Sequence, residues 1–181
     1  IFLLTIFSTP PFLRPGDFSP LINLTGISKE RIGGEMRRMF SHQNRGVAAW
    51  ELQYLGLDVS ILGEQSILTA PTRVGRLPAT SDFPTALAAW AIDRHTSESD
   101  LQAVATHWCK QLLLSNQEYS DLQEILALHT SLCAWETLGV AKKKRLASAK
   151  RFPGALAILQ SEDRPMFVFV KQAIAQLPLE L

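Results

Sequence analysis

Cysteine is scarce in this chain of 181 residues: there are two, Cys109 and Cys133. They lie 24 positions apart with no CxxC partner, which excludes a disulfide framework and a zinc-finger pattern. They are expected as buried thiols in a reducing, cytoplasmic compartment. No Walker A loop and no GxGxxG is present, so no phosphate-cradling glycine loop is expected. No Asp-x-Asp pair occurs, which leaves no place for a two-metal nucleotidyl-transfer site. There is no GxSxG and no HxxxH or HExxH pair. His42, His95, His107 and His129 are scattered and are expected as ordinary polar residues; Asp58, Asp82, Asp93 and Asp100 are isolated, and most read as caps or turn residues. Ile1–Ile6 is apolar but too short to span a bilayer, and with no charged lead and Pro10-Pro11 close behind it fits a signal peptide poorly, so no membrane partner is expected. A chain starting at Ile fits a piece of a longer protein. The formal net charge is +1, so any basic site must be local.

What is present is helical. Hydrophobic content of 46% with 19% charged residues suits a globular chain. Residues 1–24 carry four prolines and are expected to be irregular, with a short strand at Phe2–Phe7. Ser28 caps a helix whose Ile32, Met36, Met39 and Phe40 form one apolar stripe. Gly33 and Gly34 are anomalous there, each costing about 1 kcal/mol relative to Ala unless packing or a closely approaching backbone explains them. A second helix is expected over Arg45–Leu55, with Val47, Trp50 and Tyr54 inward and Gly56 as its stop. Residues 57–80 read as a loop.

Ser81 or Asp82 caps a helix from Phe83-Pro84 to about His95. Ser97-x-x-Asp100 opens another, with Leu101, Val104, Ala105, Trp108 and Leu112 on one face. Ser115-x-x-Glu118 is a stronger capping box, and its helix carries Leu122, Ile125, Leu126, His129, Leu132 and Cys133. A short basic helix follows at 141–149, then two that Pro153 and Pro165 open. The expected fold is all-α, a bundle of about seven or eight helices behind an irregular N-terminal segment, divided as 1–24, 25–62 and 63–181.

The sharpest charge cluster is Lys142, Lys143, Lys144 and Arg145, followed by Lys150 and Arg151: six cations in ten residues with no acid among them. Such a run suits a phosphate backbone, or equally a solvated helix face. On the first helix Arg31 and Glu35, four apart, are neighbours able to form a surface ion pair.

Three ordered segments carry a family resemblance. Gly26–Ile32 with Glu35, containing Glu30, Arg31 and Glu35 in the spacing E-R-x-x-x-E and continuing to Leu55-Gly56-Leu57, resembles a neck motif of the bacterial tRNA nucleotidyltransferase (CCA-adding enzyme) and poly(A) polymerase family. Leu112–Glu118 with the helix to His129 is similar to the family's L-x-L-S-N cap. Lys144–Leu146 through Arg151–Leu159 resembles its short helix, proline turn and following helix. The resemblance covers about residues 24–165. It implies a neck remnant and body that hold tRNA or other RNA and are not catalytically competent alone. Mg²⁺ and CTP or ATP would belong to a catalytic head that this sequence lacks, so no cofactor is expected here. The family's Glu-Asp-x-x-Arg nucleotide-selecting motif is missing too, and residues 1–22 do not match the preceding neck helices. A separate head, or another protein docking on the apolar N-terminus, would be a further partner. The alternative is a helical protein-interaction module that binds no RNA; an unrelated helical enzyme is weaker, because no catalytic set supports it.

Overall fold

Local signals place most of the helices in the computed structural model, which describes residues 24, 26–95 and 101–177. Ten α-helices and no strand occur among the described residues: α1 (Lys29–Ser41), α2 (Arg45–Tyr54), α3 (Leu57–Leu62), α4 (Thr72–Arg76), α5 (Phe83–Arg94), α6 (Leu101–Leu112), α7 (Asn116–Cys133), α8 (Val140–Ala147), α9 (Phe152–Glu162) and α10 (Arg164–Ala175). Eight of them are longer than six residues, and the class is all-α as expected. Phe2–Phe7, the Ser97–Asp100 box and Ile1–Ile6 lie outside the described residues. No described helix is long and apolar enough to cross a membrane.

The caps behave as read. The Ser28 hydroxyl accepts from the Arg31 N–H, and Asp82 accepts from that of Thr85. At α7 the box is reciprocal: Ser115 Oγ accepts from the Glu118 N–H at 3.2 Å and Glu118 Oε2 from the Ser115 N–H at 2.7 Å. One hydrophobic cluster runs from Met36 to Val170 and draws on both sides of the expected boundary at residue 62. At its centre α5 is buried on every face, and Trp90, Trp108 and Trp135 are wholly enclosed. Their size alone does not fix them. Trp90 Nε1 donates to Gln53 at 2.9 Å and Trp108 Nε1 to Glu64 at 2.6 Å, so each buried indole of this pair is satisfied.

Two expectations fail for tertiary reasons. Val47 and Trp50 point outward, at 54% and 37% exposure, while Arg45, Ala48, Ala49, Leu52 and Gln53 face in. Helix α2 crosses α4 so closely that a Cβ on Gly46 would lie 2.4 Å from the Gly75 Cα. Only small residues fit that seam. Arg45 then serves the carbonyls of His42, Ala79 and Ser81, and Gln53 those of Ile67 and Thr69. Residues 57–80 are not one loop. Gly56 and Gly63, both at φ +66°, bracket α3, whose Leu57, Ile61 and Leu62 are buried. Helix α4 is capped from another helix: Asp93 of α5 accepts the N–H groups of Arg73 and Val74. Burial pushes the Asp93 carboxyl above its usual range despite those bonds and the Arg73 guanidinium.

The paired glycines of α1 separate cleanly. A Cβ on Gly33 would meet the Leu112 carbonyl oxygen at 2.3 Å, whereas one on Gly34 meets nothing within 4 Å. Gly33 therefore admits α6, and Gly34 has no such duty. Gly33→Ala is expected to destabilise the protein by about 1 to 2 kcal/mol through overpacking. Gly34→Ala is expected to stabilise it by about 0.5 to 1 kcal/mol through helix propensity. Thermal unfolding of the two variants should shift the midpoint in opposite directions.

Candidate functional site

The E-R-x-x-x-E residues stand on the first turns of α1. Glu30 and Arg31 are exposed, and hydrogen bonds from its own backbone N–H and from the Ser28 hydroxyl hold the Glu30 carboxyl below its usual range. Glu35 pairs with Arg38 at 2.9 Å, one turn on, instead of with Arg31. Two other α1 side chains reach the body: Lys29 Nζ donates to Gln111 of α6 at 2.9 Å, and Arg37 meets the α6–α7 corner. Its Nε and Nη2 donate to the two Glu118 oxygens at 2.6 and 2.7 Å, and Nη2 also donates to the Leu113 carbonyl at 3.0 Å. Leu113 takes φ +47°, a left-handed turn at the α6–α7 corner that puts this carbonyl within reach of Arg37. Both parts of the first two resemblance segments are thus joined by one two-pronged ion pair.

The basic run divides by environment. Lys142, Arg145 and Lys150 are exposed, and Lys143 and Lys144 are half-buried, with Lys143 Nζ 5.6 Å above the Trp135 ring. Arg151 turns inward, its Nη2 donating to Asp82 at 2.6 Å, so it ties the start of α9 to the cap of α5. No residue of α8 is fully buried, and no acid lies between Glu136 and Glu162. Helix α8 packs on α10. A cleft of about 560 Å³ opens between the segment before α5, α9 and α10, lined among others by Thr80, Asp82, Lys150, Arg151, Phe167 and Lys171. Three cations from the end of the run and from α10 share this concavity; Lys171 is a member that spacing could not supply.

A second constellation lies in the bundle. The last turns of α7 carry His129 and Cys133, and α9 ends at Glu162. His129 Nε2 donates to Glu162 Oε1 at 2.6 Å, and Cys133 Sγ lies 3.9 Å from the same nitrogen. The other Glu162 oxygen accepts from Arg73 Nε, and Arg73 Nη1 reaches Asp93 at 3.1 Å. Burial opposes charge on His129, but its bonds with Cys133 and Glu162 outweigh this and raise the imidazole to about 9. Burial likewise pushes Glu162 up, and His129 with Arg73 brings it below the usual carboxylate range.

One expectation is corrected here. Cys133 is exposed and Cys109 half-buried, so neither is a buried core thiol: each sits on the flank of a helix whose apolar stripe is filled by larger residues. His129 gains a partner that the sequence does not show, since α9 delivers a carboxylate to it. Asp82 caps α5 as expected, Asp93 caps α4 through space and also pairs with Arg73, and Asp58 is the buried partner of Arg94; Asp100 lies outside the described residues. The signal available in advance was His129 and Cys133 at i and i+4, which places both on one helix face.

Comparison with protein-family models, with curated proteins and with solved structures finds no match to this chain.

Proposed function

We propose that the chain is a helical RNA-holding unit, resembling the neck and body of a CCA-adding or poly(A)-polymerase-like nucleotidyltransferase, that binds tRNA or another RNA through α8 and the adjoining cleft. The observation that carries this reading is the acid-free helix α8, with exposed Lys142 and Arg145, continuing into a concavity with Lys150 and Lys171. Cations spaced along one helix neutralise successive phosphates and release counterions, an affinity that needs no base contact. In the family it resembles, the motif matched by Glu30, Arg31 and Glu35 braces a nucleotide-selecting helix that this sequence lacks, and on this reading the unit by itself transfers no nucleotide.

The test is tRNA binding as a function of salt for the native chain and for the Lys142/Arg145/Lys150→Ala variant. Log affinity should fall with log salt, and the slope should become shallower by up to about 3 in the variant. Weak binding with the same slope in both proteins would sink the reading. That outcome would favour a protein-interaction module, for which exposed Val47 and Trp50 on α2 are the supporting observation.

A further inference from the structure

The cluster at the ends of α7 and α9 has a chemistry that RNA binding does not use. An ion pair between His129 and Glu162, supported by Arg73, needs no thiol. Yet Cys133 Sγ, a His129 ring nitrogen and a Glu162 carboxylate oxygen all lie within 4.8 Å of one another. These are a soft donor, a borderline donor and a hard one, brought together from two helices. We propose that His129, Cys133 and Glu162 form a binding site for a thiophilic divalent transition metal of the zinc type.

The geometry is close to what such an ion needs. Zinc takes thiolate at about 2.3 Å and imidazole or carboxylate at about 2.0 to 2.1 Å, so tetrahedral donors stand roughly 3.3 to 3.6 Å apart. Here the nitrogen–oxygen separation is 2.6 Å and the sulfur–nitrogen separation 3.9 Å. Admitting the ion opens the first and closes the second, each by less than about 1 Å on the same bond lengths. The i, i+4 spacing holds His129 and Cys133 on one face of α7. The third ligand is oriented from behind, because Arg73 occupies the other Glu162 oxygen and is itself held by Asp93. That leaves Oε1 for the metal.

Charge and softness narrow the ion. One thiolate and one carboxylate balance a dication, with the imidazole neutral. On binding, the thiol proton and the Nε2 proton leave to solvent and a water fills the fourth position. The exposure of Cys133 provides the opening for that water. A mixed sulfur–nitrogen set excludes magnesium and calcium, which take oxygen donors. The bound ion would clamp the last turn of α7 to the end of α9.

Cobalt(II) is the probe. The full chain, stripped with a chelator and reduced, is titrated with Co²⁺ and followed by visible and near-ultraviolet absorption. The expected result is a thiolate-to-cobalt charge-transfer band saturating at one equivalent, with intense tetrahedral ligand-field bands, and displacement of both by Zn²⁺. Cys133→Ser, an exposed and nearly isosteric change, should abolish the charge-transfer band and weaken binding at least about tenfold while the helical circular dichroism is unchanged. Cys109→Ser should leave the spectrum intact. Absence of the band in the native chain overturns the proposal and leaves a bare ion pair. So does a band that survives Cys133→Ser or disappears with Cys109→Ser. A thermal midpoint that zinc raises in the native chain and not in Cys133→Ser is an independent reading of the same site. None of these outcomes depends on RNA binding.

Discussion

Arg94→Met is expected to lower stability by about 3 to 5 kcal/mol, because it strands a buried carboxylate. Arg94 and Asp58 are 1% and 0% exposed, and their side chains meet at 2.6 Å. The guanidinium also donates to the Gln65 carbonyl at 3.1 Å, reaches Glu64 at 3.4 Å and lies 5.3 Å from the Trp90 ring centre. A single arginine at the end of α5 thus neutralises α3, closes the loop after it and covers a core indole. Its removal leaves Asp58 with no counter-charge in a place water does not reach, which is costly for a buried carboxylate. For a chain of this length the loss corresponds to a fall in melting temperature of roughly 10 °C. The double variant Asp58→Leu/Arg94→Met should recover much of it, since the penalty comes from the uncompensated charge more than from the missing attraction. Urea unfolding of the two variants decides the point. A loss below about 1 kcal/mol in the single variant, or no recovery in the double, would refute this account of the pair.

The second large effect belongs to Glu118, and its signature is in pH. Arg37 first, then the Ser115 backbone N–H and hydroxyl, hold the Glu118 carboxyl down to about 2, against the burial that would raise it. The folded value lies below the ordinary 4.5, so the unfolded chain binds a proton that the folded chain refuses. The stabilisation is therefore fully present above about 4.5 and is lost as pH falls through the window toward about 2. The side chains of Arg37 and Glu118 are 31% and 22% exposed, and solvent screening trims the contribution to about 2 to 3 kcal/mol. Glu118→Gln should be less stable than the native chain by that amount at pH 6, and the gap should close as the pH approaches 2. Urea midpoints for both proteins across that range test it. A gap that stays constant with pH would mean that Glu118 acts through packing alone. The same variant frees α1 from the α6–α7 corner, so the amides of α1 should exchange faster than those of α7.

Helices whose stability comes from local chemistry were legible in advance. Ser28, Asp82, Ser115 with Glu118, Pro153 and Pro165 each satisfy or remove orphan N–H groups within three or four residues, so their effect is written in adjacent letters. The stripes on α1, α6 and α7 were legible for the same reason: a period of 3.6 residues reports the buried face when the helix packs with large apolar residues on one side only. Helix α2 breaks that rule. Its buried face is set by the Gly46–Gly75 crossing and by the loop carbonyls that Arg45 and Gln53 satisfy, so its largest apolar residues stand outside. Periodicity points to the wrong side when small and hydrogen-bonded polar groups make the interior.

The basic run at Lys142–Arg151 was read from the sequence, because consecutive charges need no fold to be seen. What the fold added was a distinction among its members: Arg151 is drawn to Asp82, and Lys171 from a different helix joins Lys150 in the cleft. The short helices α3 and α4 could not be read, since one is bracketed by two left-handed glycines and the other is capped by Asp93 from twenty residues away. The chain from Asp93 through Arg73 and Glu162 to His129 and Cys133 draws on α5, α4, α9 and α7. The sequence by itself determined the all-helical class, the caps and the place of the positive charge, all of which depend on neighbours along the chain. The tertiary structure alone decided which face of α2 is core, how α1 is anchored and which acids meet which bases, because those depend on neighbours in space.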